Sequence, residues 1–243
     1  MGATRNLHLL TPLDNPVDLP VCRLVSWTDI DRWADIVAER VRLAGRVPET
    51  IVGLTRGGWI PARLLADRLD VKHLAALRAQ HWGVTATPNG RAEITESLNS
   101  SVRGKAVLVV DDITDTGDSL RLAVTHVKSD RPARLESATF LHISHSTYTP
   151  TYYGEEVPKE GWAWFIFPWN YWEDLRTLSN KAHSEAATPE EVASLLLEQA
   201  KIQVSAEDVA QALGRPAPVG SRGRTKRTGT RAGGRRASRS TPR

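Results

Sequence analysis

Residues 107–120 read VLVVDDITDTGDSL. Val107, Leu108, Val109 and Val110 are apolar in succession, without the alternation of a half-buried strand, as expected of a parallel strand covered on both faces. Asp111 and Asp112 stand where that strand delivers its carboxyl end, and ligands of open parallel sheets sit beyond such ends. Thr114, Thr116 and Ser119 offer hydroxyls, and Gly117 permits close backbone approach. Leu120, Leu122, Ala123, Val124 and Val127 suggest a helix starting just behind them, whose N-terminal N–H groups favour an anion. Two carboxylates beside a phosphate repel it unless they face something else. A ribose diol or a Mg²⁺ ion resolves the conflict, because carboxylates accept hydroxyl hydrogen bonds and ligate hard cations directly or through water. An ordinary strand, turn and capped helix would also use Asp and Ser as caps, but caps do not call for two acids inside a strand end.

This stretch resembles, over its whole length, the PRPP-binding motif of the type I phosphoribosyltransferases: a hydrophobic strand, two acids and a Thr/Gly/Ser phosphate loop. The resemblance implies that Asp111 and Asp112 hold the ribose 2′- and 3′-hydroxyls and serve Mg²⁺, directly or through water. It implies further that Thr114, Asp115, Thr116, Gly117, Asp118 and Ser119 form the PRPP loop, the last five holding the 5′-phosphate, and that Asp115 acts near the base as a proton acceptor.

A second motif lies upstream. Ile51 to Leu54 is a short apolar strand, Thr55-Arg56-Gly57-Gly58 a turn, and Trp59, Ile60, Ala62, Leu64, Leu65 and Leu69 suggest a helix with Pro61 in its first turn, where proline is tolerated. Glycines that bare the backbone beside an arginine fork suit a pyrophosphate. The turn is similar to the family's pyrophosphate loop, so Thr55, Arg56, Gly57 and Gly58 are expected to bind that end of PRPP, with Arg56 stabilising the leaving group.

The window WAWFIFPWNYW, 162–172, holds four of the eight tryptophans. Composition alone favours a packed core or a subunit contact, since large aromatics usually bury area; the functional reading is a stacking surface for a planar heterocycle. The segment is similar to the W-x-x-x-P-W-[DE] pattern in the hood of bacterial and archaeal xanthine-guanine and hypoxanthine phosphoribosyltransferases. On that match Trp164 stacks on the purine, the backbone of Phe165 contacts its edge, Trp169 is chiefly structural, and Asn170 departs from the expected acid. A second departure follows the strand Ser137 to Ile143. The 6-oxopurine enzymes carry a lysine there that recognises the base carbonyl, and here the nearest positions are His142, Ile143 and Ser144. His142 or His145 could donate instead.

These motifs imply an α/β protein of the type I phosphoribosyltransferase fold, a mainly parallel sheet flanked by helices with a small hood. The expected organisation is an N-terminal segment 1–27, a catalytic domain 28–180 with its hood at about 145–172, C-terminal helices 188–214 and a disordered basic tail 215–243. A first helix is expected from Asp29 to Leu43, capped by Thr28 or Asp29, and a strand within Asp70 to Ala79. His81 to Ser101, with the turn signal Pro88-Asn89-Gly90, reads as a long loop. The tail carries nine arginines and Lys226 with no acid, so the remainder of the chain is at −6 against a total of +4. The basicity belongs to a segment that cannot build a core, suited to nonspecific contact with nucleic acid or to solubility. Cys22 is the single cysteine, which excludes an internal disulfide and suits a cytoplasmic setting. A GxxxxGK[ST] P-loop is absent.

The expected activity is transfer of ribose 5-phosphate from PRPP to a purine-like base, with hypoxanthine, guanine or xanthine as acceptor, Mg²⁺ as cofactor and a homodimer as the assembly. The departures at Ile143 and Asn170 and the basic tail leave open a non-catalytic PRPP-binding regulator that contacts nucleic acid. A receiver-type phosphoacceptor domain also carries acids at a strand end, but leaves Thr55 to Gly58 and the aromatic window unexplained.

Overall fold

The computed structural model describes residues 19–81, 92–183 and 188–214. Strand β1 (Cys22–Leu24) leads into helix α1 (Trp27–Leu43). The helix starts two residues earlier than expected, because Ser26 rather than Thr28 or Asp29 is its cap. The Ser26 hydroxyl accepts from the Asp29 backbone N–H at 3.1 Å, and the Asp29 carboxylate accepts from the Ser26 N–H at 3.1 Å. Reciprocal capping of this kind satisfies two otherwise orphaned donors.

Then follow β2 (Thr50–Thr55), α2 (Trp59–Arg68), β3 (His73–His81), β4 (Ala92–Glu96), β5 (Ala106–Thr114), α3 (Asp118–Ser129), β6 (Arg134–Ile143) and β7 (Tyr152–Val157). These strands form one six-stranded sheet in the order β4-β3-β2-β5-β6-β7, parallel except for β4, which runs antiparallel to β3. The loop expected over His81 to Ser101 is thus partly strand. Its turn signal at 88–90 lies outside the described residues.

The central strand explains its own composition. Leu108 and Val110 belong to the core between the sheet and helices α1 and α2, while Val107 and Val109 belong to the core on the other face, against Leu120, Ala123 and Val127 of α3. Successive side chains point to opposite faces, and both faces are dry, so every position must be apolar. Burying each such side chain contributes about 1.5–3 kcal/mol.

A second, two-stranded sheet pairs β1 in parallel with β8 (Trp164–Ile166). Helices α4 (Tyr171–Ala182), α5 (Pro189–Glu198) and α6 (Ala206–Ala212) close over it. Leu19, Cys22, Ile166, Leu175, Leu178, Val192, Leu196 and Val209 make a separate core there. The stretch 145–172 read as hood is therefore divided: Tyr152–Val157 is the edge strand of the main sheet, and the small layer takes its other members from both ends of the chain. No single window of sequence contains it. Among the described residues no helix is long and apolar enough to cross a membrane.

Candidate active site

The two phosphate-loop candidates leave adjacent parallel strands, β2 and β5, at the same end of the sheet. Their proximity is enforced by glycine. A Cβ on Gly57 would lie 2.1 Å from Asp112 Oδ2, and one on Gly58 would lie 2.5 Å from the Val110 carbonyl oxygen and 2.7 Å from Asp111 Cα. Gly58 has ordinary helical dihedrals, φ −68° and ψ −9°, so close approach, not a left-handed backbone, requires the missing side chain. The turn 55–58 thus lies directly on the acids of β5.

Beyond the acids lies a cleft of about 330 Å³, lined by residues 111–117 with Ser119 and Leu120. Gly117, at φ +90°, caps α3 without a side-chain hydrogen bond, and the helix opens towards this cleft as a site for negative charge. A Cβ at Gly117 would meet Ser146 Oγ at 2.6 Å and Tyr148 N at 2.8 Å, so glycine is required there for both conformation and space. The loop after β6 clasps the turn from behind: Thr147 donates to the Thr116 carbonyl through its N–H at 3.0 Å and its hydroxyl at 2.9 Å. Asp118 and Thr116 bond to each other, with the Asp118 N–H donating to Thr116 Oγ1 at 3.3 Å. Thr114 lines the cleft but is buried, and its Oγ1 donates to Thr139 Oγ1 on the neighbouring strand β6 at 3.1 Å.

The acid pair is electrostatically unfinished. Burial pushes the Asp111 carboxyl well above the usual range, and the adjacent Asp112 charge pushes it further; burial also raises Asp112. Asp112 accepts from its neighbour Ile113 N–H at 2.9 Å through Oδ1 and from Trp169 Nε1 at 3.2 Å through Oδ2. Two crowded carboxyls of raised pKa suit hydroxyl donors or a hard cation. Among the described residues no cluster of three or more His, Cys, Asp or Glu side chains could hold a metal.

Asp115 Oδ1 accepts from Trp162 Nε1 at 3.2 Å and faces His145 Nε2 at 3.1 Å. Neither contact involves Oδ2. Arg56, on the facing loop, directs Nη2 to both carboxylate oxygens of Glu173, each at 2.8 Å.

The Phosphoribosyl transferase domain family model matches residues 26–174. The chain belongs to this family. A xanthine-guanine phosphoribosyltransferase of Cereibacter sphaeroides is 29% identical over 154 residues, spanning 60% of this chain and 85% of that protein. One from a Ruegeria species is 32% identical over 111 residues, 42% of this chain and 62% of that protein. Among solved structures, a purine phosphoribosyltransferase from Pyrococcus horikoshii is 28% identical with a TM-score of 0.52, covering 61% of this chain and 93% of that one.

The phosphoribosyltransferase layer and the small layer meet through indoles. Trp169 stacks on Phe167 at 4.9 Å and meets Trp27 edge-on at 6.0 Å while it donates to Asp112, so it joins the acid pair as well as packing. Trp164 is half-buried against the small layer's core and donates through Nε1 to Asp174 Oδ1 at 3.1 Å. Burial pushes the Asp174 carboxyl up to about 6, and the Trp164 hydrogen bond opposes that rise. Phe165 is buried under the Arg23 guanidinium, 5.7 Å from its ring. Trp164 N donates to Val21 O at 2.8 Å and Ile166 O accepts from Val25 N at 2.9 Å. Pairing with β1 therefore uses the flanking residues and turns the Phe165 N–H and C=O to the other edge.

Ile143 is fully buried in the core beside α1 and α2, so its side chain offers a base nothing polar. Asn170 caps α4 without a side-chain bond; its carbonyl accepts from Asp174 N–H at 2.9 Å. Reading the sequence missed Trp162 as a partner of Asp115, Trp169 as a partner of Asp112 and Glu173 as a partner of Arg56. Each pair is separated by 47 or more residues, so no local spacing signals it. The one available hint was the choice of tryptophan, a hydrogen-bond donor, over phenylalanine in the window 162–172.

Proposed function

We propose that this protein transfers the 5-phosphoribosyl group of PRPP to a ring nitrogen of a purine-like base and releases pyrophosphate. The observation that supports the reading is the contact of the turn 55–58 with the acid pair of β5, beside the cleft lined by residues 111–117 with Ser119 and Leu120. In this reading Asp111 and Asp112 receive the ribose hydroxyls. Asp115 to Ser119 take the 5′-phosphate through N–H groups and hydroxyls, and Thr55 to Gly58 take the pyrophosphate. The bond from C1 to the pyrophosphate oxygen breaks ahead of formation of the bond from C1 to nitrogen, and Asp115 Oδ2 accepts the proton of that nitrogen. Mg²⁺, held by Asp111 and Asp112 directly or through water, would neutralise charge on the departing pyrophosphate. Arg56 adds the fixed cation of the turn.

Trp164 and the Phe165 main chain serve the base in this proposal, with Asn170 nearby. The family names of the Cereibacter and Ruegeria relatives favour xanthine or guanine, and hypoxanthine is the third 6-oxopurine to be tried. The single cysteine supports a cytoplasmic protein, and exposed Trp172 and Leu197 on α4 and α5 support a homodimer. The basic tail at 215–243 lies outside the described residues, and a nucleic-acid contact would run through it.

Pyrophosphate release from PRPP and Mg²⁺ with guanine, xanthine, hypoxanthine, adenine and uracil tests the reading. Turnover with one 6-oxopurine supports it. PRPP binding without release for any base would favour the non-catalytic regulator.

A further inference from the structure

We infer that Glu173 is an internal competitor for the pyrophosphate site, holding Arg56 until the substrate's own anion displaces it. This inference rests on the reading of 55–58 as a pyrophosphate loop. A guanidinium grips an anion at two points either through Nη1 and Nη2 or through Nε and Nη2. Both forks need Nη2, and Nη2 is the atom that Glu173 holds, with both carboxylate oxygens at 2.8 Å. While the pair persists, the Glu173 carboxylate crowds the nitrogen that both forks share, and pyrophosphate must compete with it for Arg56.

The pair is built to open. The Arg56 and Glu173 side chains are 69% and 54% exposed, so water competes for both and the pair is weak. A pyrophosphate group with Mg²⁺ offers more charge and more acceptors than one carboxylate. Glu173 also has a place to go. It is the third residue of α4, whose cap Asn170 makes no side-chain bond, and an acid in a first turn settles over the helix's unpaired N–H groups. The same first turn follows Trp169, which holds Asp112, and includes Asp174, which holds Trp164. Release of Glu173 therefore occurs in a segment that touches the ribose acids and the proposed base surface together.

Calorimetric titration of the full chain with Mg-pyrophosphate, for wild type, Glu173→Ala and Glu173→Gln, tests the competition. Both variants are expected to bind pyrophosphate about twofold to fivefold more tightly than wild type, the size of a displaced exposed ion pair. Glutamine keeps the side chain's shape and guards against a folding defect. In turnover the gain appears as a lower KM for PRPP, and kcat moves less. Arg56→Ala combined with Glu173→Ala is expected to erase the gain. Equal or weaker pyrophosphate binding by both single variants, with melting temperatures near wild type, would overturn the inference even if PRPP turnover is normal. Tighter pyrophosphate binding without transfer to any base would uphold the competition and sink the proposed reaction instead.

Discussion

The proposed phosphate side of the site is made from two short contiguous segments, 55–58 and 111–119, which belong to adjacent strands of one parallel sheet. The proposed base side is assembled from β1, β8, the start of α4 and the loop after β6, pieces drawn from almost the whole described chain. The first side is held by backbone contact: Gly57 and Gly58 lie against Asp111, Asp112 and Val110 with no room for a methyl group. The second is held by single indole N–H donors from Trp162, Trp164 and Trp169 to three carboxylates. Backbone contact tolerates almost no change, whereas a side-chain hydrogen bond contributes about 1.5–3 kcal/mol when its acceptor is charged. Damage to the phosphate side should thus be near-total, and damage to the base side graded.

The largest expected effect is that of Gly58→Ala. Its methyl group would meet main-chain atoms of β5 that cannot rotate away, so the strands separate or the turn moves. Loss of PRPP-dependent release by more than about a hundredfold and destabilisation of about 2–3 kcal/mol are expected, read by pyrophosphate assay and denaturant melt. A fully active variant would break the idea that contact of the two turns makes the site.

Asp112→Asn keeps the shape and removes a charge. It should lower kcat/KM for PRPP by about a hundredfold and leave a folded protein by circular dichroism. Equal activity with PRPP and every accepted base would defeat the assignment of the acid pair.

Trp164→Ala should raise the KM for the base about tenfold and that for PRPP less. It also strands the buried Asp174 carboxyl, so a lower melting temperature accompanies the change. Equal rises in both KM values would erase the proposed division of labour between the two sides.

The smallest expected effect concerns pH. Asp174 is raised in the folded protein, to about 6 from 3.8, so the native state binds its proton more tightly than the unfolded chain does. Its contribution therefore grows as pH falls through 6 and levels off near the unfolded value. Between about pH 7.5 and 5 the gain is about 1 kcal/mol. Asp174→Asn should remove that part of the pH dependence, visible as the difference between the two melting curves. Identical pH dependence in the two proteins would show that the base side does not feel this carboxyl.

The contrast also explains what could be read in advance. Val107 to Leu120 and Thr55 to Gly58 are legible because their chemistry is local: an unbroken apolar run demands two dry faces, and a glycine next to an anion-binding turn demands close backbone approach. The first helix is capped by Ser26, two residues before Thr28; Ser26, Thr28 and Asp29 are all good caps, and only the reciprocal bonds decide between them. Ile143 looked like a base-facing position from its place at a strand end, whereas the sheet's pleat turns it into the core beside α1 and α2. The small layer was placed too locally because its partners, β1 and β8, are about 140 residues apart in sequence, a distance over which periodicity carries no information.

By itself the sequence determined a mainly parallel sheet, a glycine turn at 55–58 and an acidic pair followed by a second glycine turn at 111–119, because strand burial, turn chemistry and helix starts depend on neighbours within a few residues. Tertiary structure alone decided which groups those turns face. It put Trp169 on Asp112, Trp162 and His145 on Asp115, and Glu173 on the arginine that the proposed reaction needs. Hydrogen bonds and ion pairs depend on separation in space, and the fold, not the spacing along the chain, sets those distances.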